Sequence, residues 1–154
     1  FRAVAKKHDN IEAWEANIDA IMMWLVKNPQ DYDVLVAENM FGDIASDLAA
    51  GLVGGLGFAS AANIGDEYAV FEPTHGSAPK YAGKNVVNPI AMILTVKLMF
   101  DWLGETEAAT NLEAAVASVI VEGNVGTYDV KGRDNGNSTI EVAEEIARKV
   151  TATA

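Results

Sequence analysis

Two aspartates, Asp43 and Asp47, stand four residues apart in the stretch ENMFGDIASDLAAGLVGG, Glu38 to Gly55. On a helix that spacing puts both carboxylates on one face, one turn apart, where they repel each other. The stretch contains no lysine or arginine to offset them. One reading is local: Asp43 gains from the helix dipole near the N-terminus and Asp47 is a solvated surface acid. The other is chemical: two hard oxygen donors for Mg²⁺ or Mn²⁺, with coordination sites left for water or a ligand. Ala45, Ser46, Ala49 and Ala50 favour the second, because small side chains let other groups approach the acids closely. Asp19, between Ile18 and Ala20 in another helical pattern, reads by itself as an exposed acid.

A second stretch, THGSAPKYAGKNVVNP from Thr74 to Pro89, has the composition of a loop. Accessible amides of a Gly/Ser/Ala loop can hold a phosphate. Lys80 and Tyr81 add a point charge and a phenolic hydroxyl, which suit a phosphomonoester. A plain surface loop with a satisfied His75 is the competing reading. Neither GxGxxG nor GxxxxGK[ST] is present, so no Rossmann fingerprint or P-loop is claimed.

The elements that must carry these groups are legible from periodicity. Ile18, Ile21, Met22 and Leu25 have helical spacing, with Asn28-Pro29 as a stop. YDVLVAEN, continuous and rich in β-branched residues, predicts a buried strand. A helix from about Gly42 to Leu52 follows, ended by Gly54-Gly55. YAVFEP predicts a second strand. Asn88 as N-cap, Pro89 at the first helical position and Gly104 past the end frame the next helix. TNLEAAVASVIVEG predicts another, and STIEVAEEIARKV opens on a capping box, Ser138 to Glu141. The alternation points to an α/β fold.

Composition narrows the function. The chain has 154 residues, half of them hydrophobic, a globular balance. A net charge of −11 argues against nonspecific nucleic-acid binding, which needs a basic face. No apolar run reaches the roughly 18 residues of a membrane span. Zero cysteines exclude disulfides, thiolate metal sites and cysteine nucleophiles, and fit a cytoplasmic protein. FRAVAKKHDN has no apolar region of a secretory signal and no initiator Met, so the chain is expected to begin inside a longer protein.

Taken together, ENMFGDIASDLAAGLVGGLGFASAANIGDEYAVFEPTHGSAPKYAGKNVVNP resembles the β-decarboxylating dehydrogenases, which act on isocitrate, isopropylmalate or homoisocitrate. The resemblance runs from about Phe1 to the C-terminus. AAGLVGGLGFASAANIGD and EPTHGSAPKYAGK look most like bacterial and archaeal isocitrate dehydrogenases. It implies the family's α/β/α fold, distinct from the Rossmann fold. Residues 1–60 would close the small, dimerising domain and residues 61–154 the large, cofactor-binding one. Asp43 and Asp47 match the metal-binding helix acids, and Asp19 matches the aspartate that reaches into the neighbouring subunit's site. The implied reaction is oxidative decarboxylation of isocitrate to 2-oxoglutarate by a cytoplasmic homodimer with shared sites, using NADP and Mg²⁺ or Mn²⁺.

The same resemblance carries Glu72, His75, Gly76, Ser77, Ala78, Pro79 and Asn88 to the adenosine side of the cofactor. Lys80, Tyr81 and Tyr128, the last in GTYDV, match positions that contact the 2′-phosphate of NADP. NAD-dependent relatives commonly carry Asp-Ile in place of Lys80-Tyr81. One departure concerns an arginine that some NADP enzymes have four residues past the second tyrosine: Gly132 stands there, with Arg133 next to it. The larger departure is the absence of the family's substrate-binding arginines, catalytic tyrosine and general-base lysine. The chain is therefore expected to be the C-terminal part of an enzyme, with no catalytic residue of its own and no turnover in isolation. A homoisocitrate or isopropylmalate enzyme using NAD, or a non-catalytic subunit of the same fold, are the alternatives.

Overall fold

The computed structural model describes residues 1–153, and the side chains of residues 1–150. It divides into two compact units, one of residues 1–49 and one from Ala50 onward.

The first unit holds α1 (Arg2–Ala5), α2 (Ile18–Lys27), a 3₁₀ turn at Pro29–Asp31 and most of α3 (Asn39–Leu52). Asn17, in extended conformation, precedes α2, and the helix stops at Asn28 because Pro29 can neither donate nor follow a helical residue comfortably. Ile21 and Leu25, one turn apart, are the large apolar side chains this unit buries. Trp14 stacks at a tilt on Tyr32, with ring centroids 5.8 Å apart. Arg2 and Glu15 form a bidentate pair with both distances 2.6 Å.

The strand expected in YDVLVAEN does not form. Val34 is 82% exposed and Val36 77%, and among the described residues no ladder bonds join this segment to another. A strand needs a neighbour on at least one edge, and a continuously apolar one needs cover on both faces. Within residues 1–49 no second strand offers either. Apolar, β-branched composition marks a segment that suits a sheet, but the pairing partner is a tertiary property.

The second unit is built in layers. Strands β1 (Ser60–Ile64) and β2 (Ala69–Pro73) pair antiparallel, with Ser60 opposite Pro73 and Ile64 opposite Ala69. Along β2, Ala69, Phe71 and Pro73 are half-buried while Val70 and Glu72 are exposed, the alternation of a sheet covered on one face. The cover is α4 (Ile90–Leu103), which packs on both strands, with Phe71 against Trp102 at 6.0 Å between centroids. Helix α5 (Thr106–Glu122) packs on α4 and on α7 (Thr139–Thr153). The single-turn helix α6 (Tyr128–Lys131) lies between α5 and α7 in sequence.

Ile90 of α4, Ala115, Val116 and Val119 of α5, and Val142 and Ile146 of α7 form the core. Spacings of three and four put these residues on one stripe of each helix. The expected termini are present with small shifts. Pro89 sits at the N-cap of α4 and not inside it, while Asn88 Oδ1 accepts from the Ile90 amide at 3.0 Å. Gly104 and Gly123 close α4 and α5 in the left-handed conformation. The capping box is complete: the Ser138 amide and hydroxyl donate to Glu141, at 2.7 and 2.8 Å, and the Glu141 amide donates to Ser138 Oγ at 3.2 Å. Those bonds favour the ionised carboxylate and hold Glu141 below the usual glutamate range.

Candidate functional sites

In the second unit a loop leaves β2 and reaches α4 through residues 74–89. It is tied at its start, where the Thr74 amide donates to the Ala59 carbonyl at 3.0 Å and continues the hairpin ladder. It is tied again near its end, where Asn85 meets the N-terminus of α7. The Asn85 carbonyl accepts from Thr139 N at 3.0 Å and its side-chain oxygen from Ile140 N at 3.2 Å. Asn85 has φ 55°, a left-handed conformation that asparagine tolerates better than most residues. Thr139 Oγ1 donates to the Val87 carbonyl at 2.6 Å.

Between these ties lie the residues singled out from sequence. His75 is half-buried, and its Nδ1 donates to the Gly76 carbonyl at 2.9 Å, so in the neutral ring Nε2 is left as an acceptor. Gly76, Ser77, Ala78, Pro79 and Lys80 are exposed. Ala78 has φ 42°, where an L-residue other than glycine is strained by roughly 1–2 kcal/mol, and Pro79–Tyr81 then form a 3₁₀ turn. Glu72 points from the exposed face of β2, its carboxylate 3.5 Å from Asn63 Nδ2.

Tyr81 and Tyr128, 47 residues apart in the chain, come together with ring centroids 6.3 Å apart. Lys80 Nζ lies 5.1 Å from the Tyr81 ring centroid and Lys84 Nζ 5.8 Å from it. Interaction with the neighbouring Tyr128 hydroxyl and the charge of Lys80 lower the Tyr81 phenol from its ordinary value, and Arg133 acts in the same direction. Tyr128 is raised, first by the same interaction with Tyr81 and then by burial. Two half-buried phenols and two exposed lysines thus share one corner of an acidic chain, within reach of the charge of Arg133. Such a corner offers point charges and hydroxyl donors to a phosphate.

Tyr128 is held by its surroundings. Asn88 is buried, and its Nδ2 donates to Asp129 Oδ2 at 3.0 Å while its Oδ1 caps α4. The fully buried Thr127 donates its hydroxyl to Asp129 Oδ1 at 2.5 Å. A Cβ on Gly57 would meet Asn88 and Asp129 at 2.9–3.0 Å, and one on Gly136 would meet the Tyr128 backbone at 2.6 Å. Only glycine leaves room at these two positions. Asp129, Lys84, Asn85 and Thr127 escaped the sequence reading. Lys84 had a local signal, four residues after Lys80. The Asn88–Asp129 bond spans 41 residues and leaves none.

The first unit carries the three aspartates. Asp43 and Asp47 share one exposed face of α3, and neither forms a salt bridge among the described residues. Asp19 is the second residue of α2, exposed, with Oδ1 accepting from the Ala20 amide at 2.8 Å. No group of three or more His, Cys, Asp or Glu able to hold a metal occurs among the described residues. Asp43 and Asp47 fit a hard divalent cation by donor type, as part of a coordination set.

A family model described as isocitrate/isopropylmalate dehydrogenase matches residues 1–146. The chain belongs to that family. It is 51% identical to the 3-isopropylmalate/3-methylmalate dehydrogenase of Methanocaldococcus jannaschii, over 97% of this chain and 44% of that protein. It is 48% identical to the NADP isocitrate dehydrogenase of Thermus thermophilus, over 99% of this chain and 31% of that protein. The crystal structure of isocitrate dehydrogenase from Methylococcus capsulatus superposes with a TM-score of 0.90 at 46% identity, over 97% of this chain and 44% of that one. The fold is therefore the family's, α-rich with a small sheet and in the α/β class. The chain spans less than half the length of these relatives. Among the described residues no helix is long and apolar enough to cross a membrane.

Proposed function

We propose that this chain carries the NADP-binding loop and two of the metal-binding acids of a dehydrogenase that oxidatively decarboxylates isocitrate to 2-oxoglutarate. The observation that carries the reading is the joining of Lys80, Tyr81 and Tyr128 at one corner, with Lys84 and Arg133 beside them. A free ribose hydroxyl has no need of that much positive charge, whereas a 2′-phosphate is matched by it. His75 Nε2, free to accept, suits the exocyclic amine of an adenine, and the residue 76–79 backbone lies open to the rest of the adenosine. Glu72 and Asn88 stand at the two ends of this loop. When bound, a divalent cation would supply charge to stabilise the oxygen on which negative charge builds during oxidation and loss of CO₂. Asp43 and Asp47 would hold it, and Asp19 would serve the site of a second copy in a homodimer. Arg2, Arg133 and Arg148, the chain's only arginines, are widely spread in sequence, so on this reading the cationic seat for a tricarboxylate is supplied by residues other than these 154, and the proton-transfer groups with it.

A second reading, NAD-linked action on homoisocitrate or 3-isopropylmalate, is favoured by relatives of equal similarity. An isocitrate/homoisocitrate dehydrogenase from Thermus thermophilus is 52% identical and the isopropylmalate/methylmalate enzyme 51%. Initial rates of the full-length protein with the three hydroxy acids, each with NADP and with NAD, separate the two. A kcat/KM highest for isocitrate with NADP is the expected outcome. A maximum for isopropylmalate or homoisocitrate with NAD would replace the first reading by the second.

A further inference from the structure

The phenol pair is only as useful as its geometry is fixed, and the group that fixes Tyr128 carries the wrong charge for a phosphate site. Asp129 follows Tyr128 directly in α6, and its negative charge acts on the Tyr128 phenol. Its two carboxylate oxygens are spent on different elements. Oδ2 takes the amide of Asn88, whose own oxygen caps α4, and Oδ1 takes the hydroxyl of buried Thr127. Gly57 gives up its side chain so that Asn88 and Asp129 can meet, and its carbonyl accepts from Ala91 N at 2.8 Å in the first turn of α4. Gly136 does the same on the other side of the turn, against the Tyr128 backbone. The Asn137 amide donates to the Gly126 carbonyl at 2.7 Å and the Gly126 amide to Asn137 Oδ1 at 3.1 Å, which closes the loop around α6.

We propose that Asp129 is a positioning residue for cofactor choice: it clamps the turn bearing Tyr128 to the N-terminus of α4, and so holds the second phenol against Tyr81 for a nucleotide 2′-phosphate. The inference rests on the reading of Lys80, Tyr81 and Tyr128 as the 2′-phosphate contacts. It makes a prediction of opposite sign to simple electrostatics. Deleting a carboxylate near a bound dianion should by itself strengthen binding. Deleting the clamp should weaken it, because Tyr128 loses its place.

The probes are adenosine 2′,5′-bisphosphate and AMP, whose dissociation constants on the full-length enzyme are measured by calorimetry; their ratio isolates the 2′-phosphate. Asp129→Ala is expected to lower the preference for the bisphosphate on the order of tenfold, the loss of about one charge-assisted contact. Asp129→Asn should retain the preference, since its amide can accept from Asn88 and donate to the Thr127 oxygen. Combined with Tyr128→Phe, Asp129→Ala should add little, because both act through the same hydroxyl. Thr127→Val, which removes one of the two bonds and keeps the volume, should give a smaller loss and serves if Asp129→Ala does not fold. A preference that rises in Asp129→Ala, one that is unchanged, or effects that add fully to those of Tyr128→Phe would each overturn the clamp. If the unmodified enzyme has no preference for the bisphosphate, the cofactor reading fails first and takes this inference with it.

Discussion

The two units differ in how they hold their candidate chemistry. In the second, a core of six buried side chains lies beneath the loop of residues 74–89, the proposed nucleotide site, which is tied to the hairpin at Thr74, to α7 at Asn85 and Thr139 and to α4 at Asn88. In the first, Ile21 and Leu25 are the large buried apolar side chains, and Asp43 and Asp47 are placed by a single helix. The proposed phosphate grip, assembled from residues 47 apart, needs tertiary anchoring. A pair of acids at i and i+4 needs only the helix. The first kind of site is therefore sensitive to changes in its supports, and the second mainly to changes in the ligands themselves.

The largest effect should come from the grip. Lys80→Asp combined with Tyr81→Ile removes two contacts of about 1.5–3 kcal/mol each and adds repulsion, enough to move the NADP-to-NAD preference by orders of magnitude. Ratios of kcat/KM on the full-length enzyme measure it; an unchanged ratio would mean that the corner does not read the phosphate. The contrast in support is tested next. Ile146→Ala, in the core of the second unit, should cost about 2–5 kcal/mol, whereas Leu25→Ala, in a thin core that can collapse, should sit at or below the low end. Hydrogen exchange resolved by segment reads both, and equal losses would erase the distinction between the units. Smaller in energy is Asp43→Asn. Losing a direct ligand should weaken Mn²⁺ binding by at least the roughly tenfold expected for an outer-shell change. The helix should be no less stable, because one of two like charges has gone. Calorimetry on the intact protein that found full Mn²⁺ affinity would return the pair to the status of solvated acids.

What could be read from sequence follows the same division. Helix ends written in local chemistry, such as Asn28-Pro29, Gly104 and the Ser138–Glu141 box, lie where the residues indicated. Strand β1 went unseen because Ser-Ala-Ala-Asn-Ile has little β propensity and is a strand through its pairing with β2. The strand expected at YDVLVAEN failed for the converse reason, propensity without a partner. Lys80, Tyr81 and Tyr128 were grouped through family resemblance, and the structure brings the three side chains near one another. Asp129 was not legible, because its bond to Asn88 exists only once α4 and α6 are folded against each other.

The bare stretch at Val34–Val36 has a consequence for handling the protein. An exposed apolar, β-branched segment outside any described sheet is the kind of segment through which copies of a chain pair with one another. Here it is bracketed by Asp31, Asp33 and Glu38, acids of the kind that keep such segments apart by mutual repulsion. That protection is electrostatic. With a net charge of −11 at pH 7 and a sequence pI near 4.4, the molecule as a whole loses its net repulsion as the pH falls towards 4.4. Light scattering from a concentrated solution should therefore rise as the pH is lowered towards 4.4.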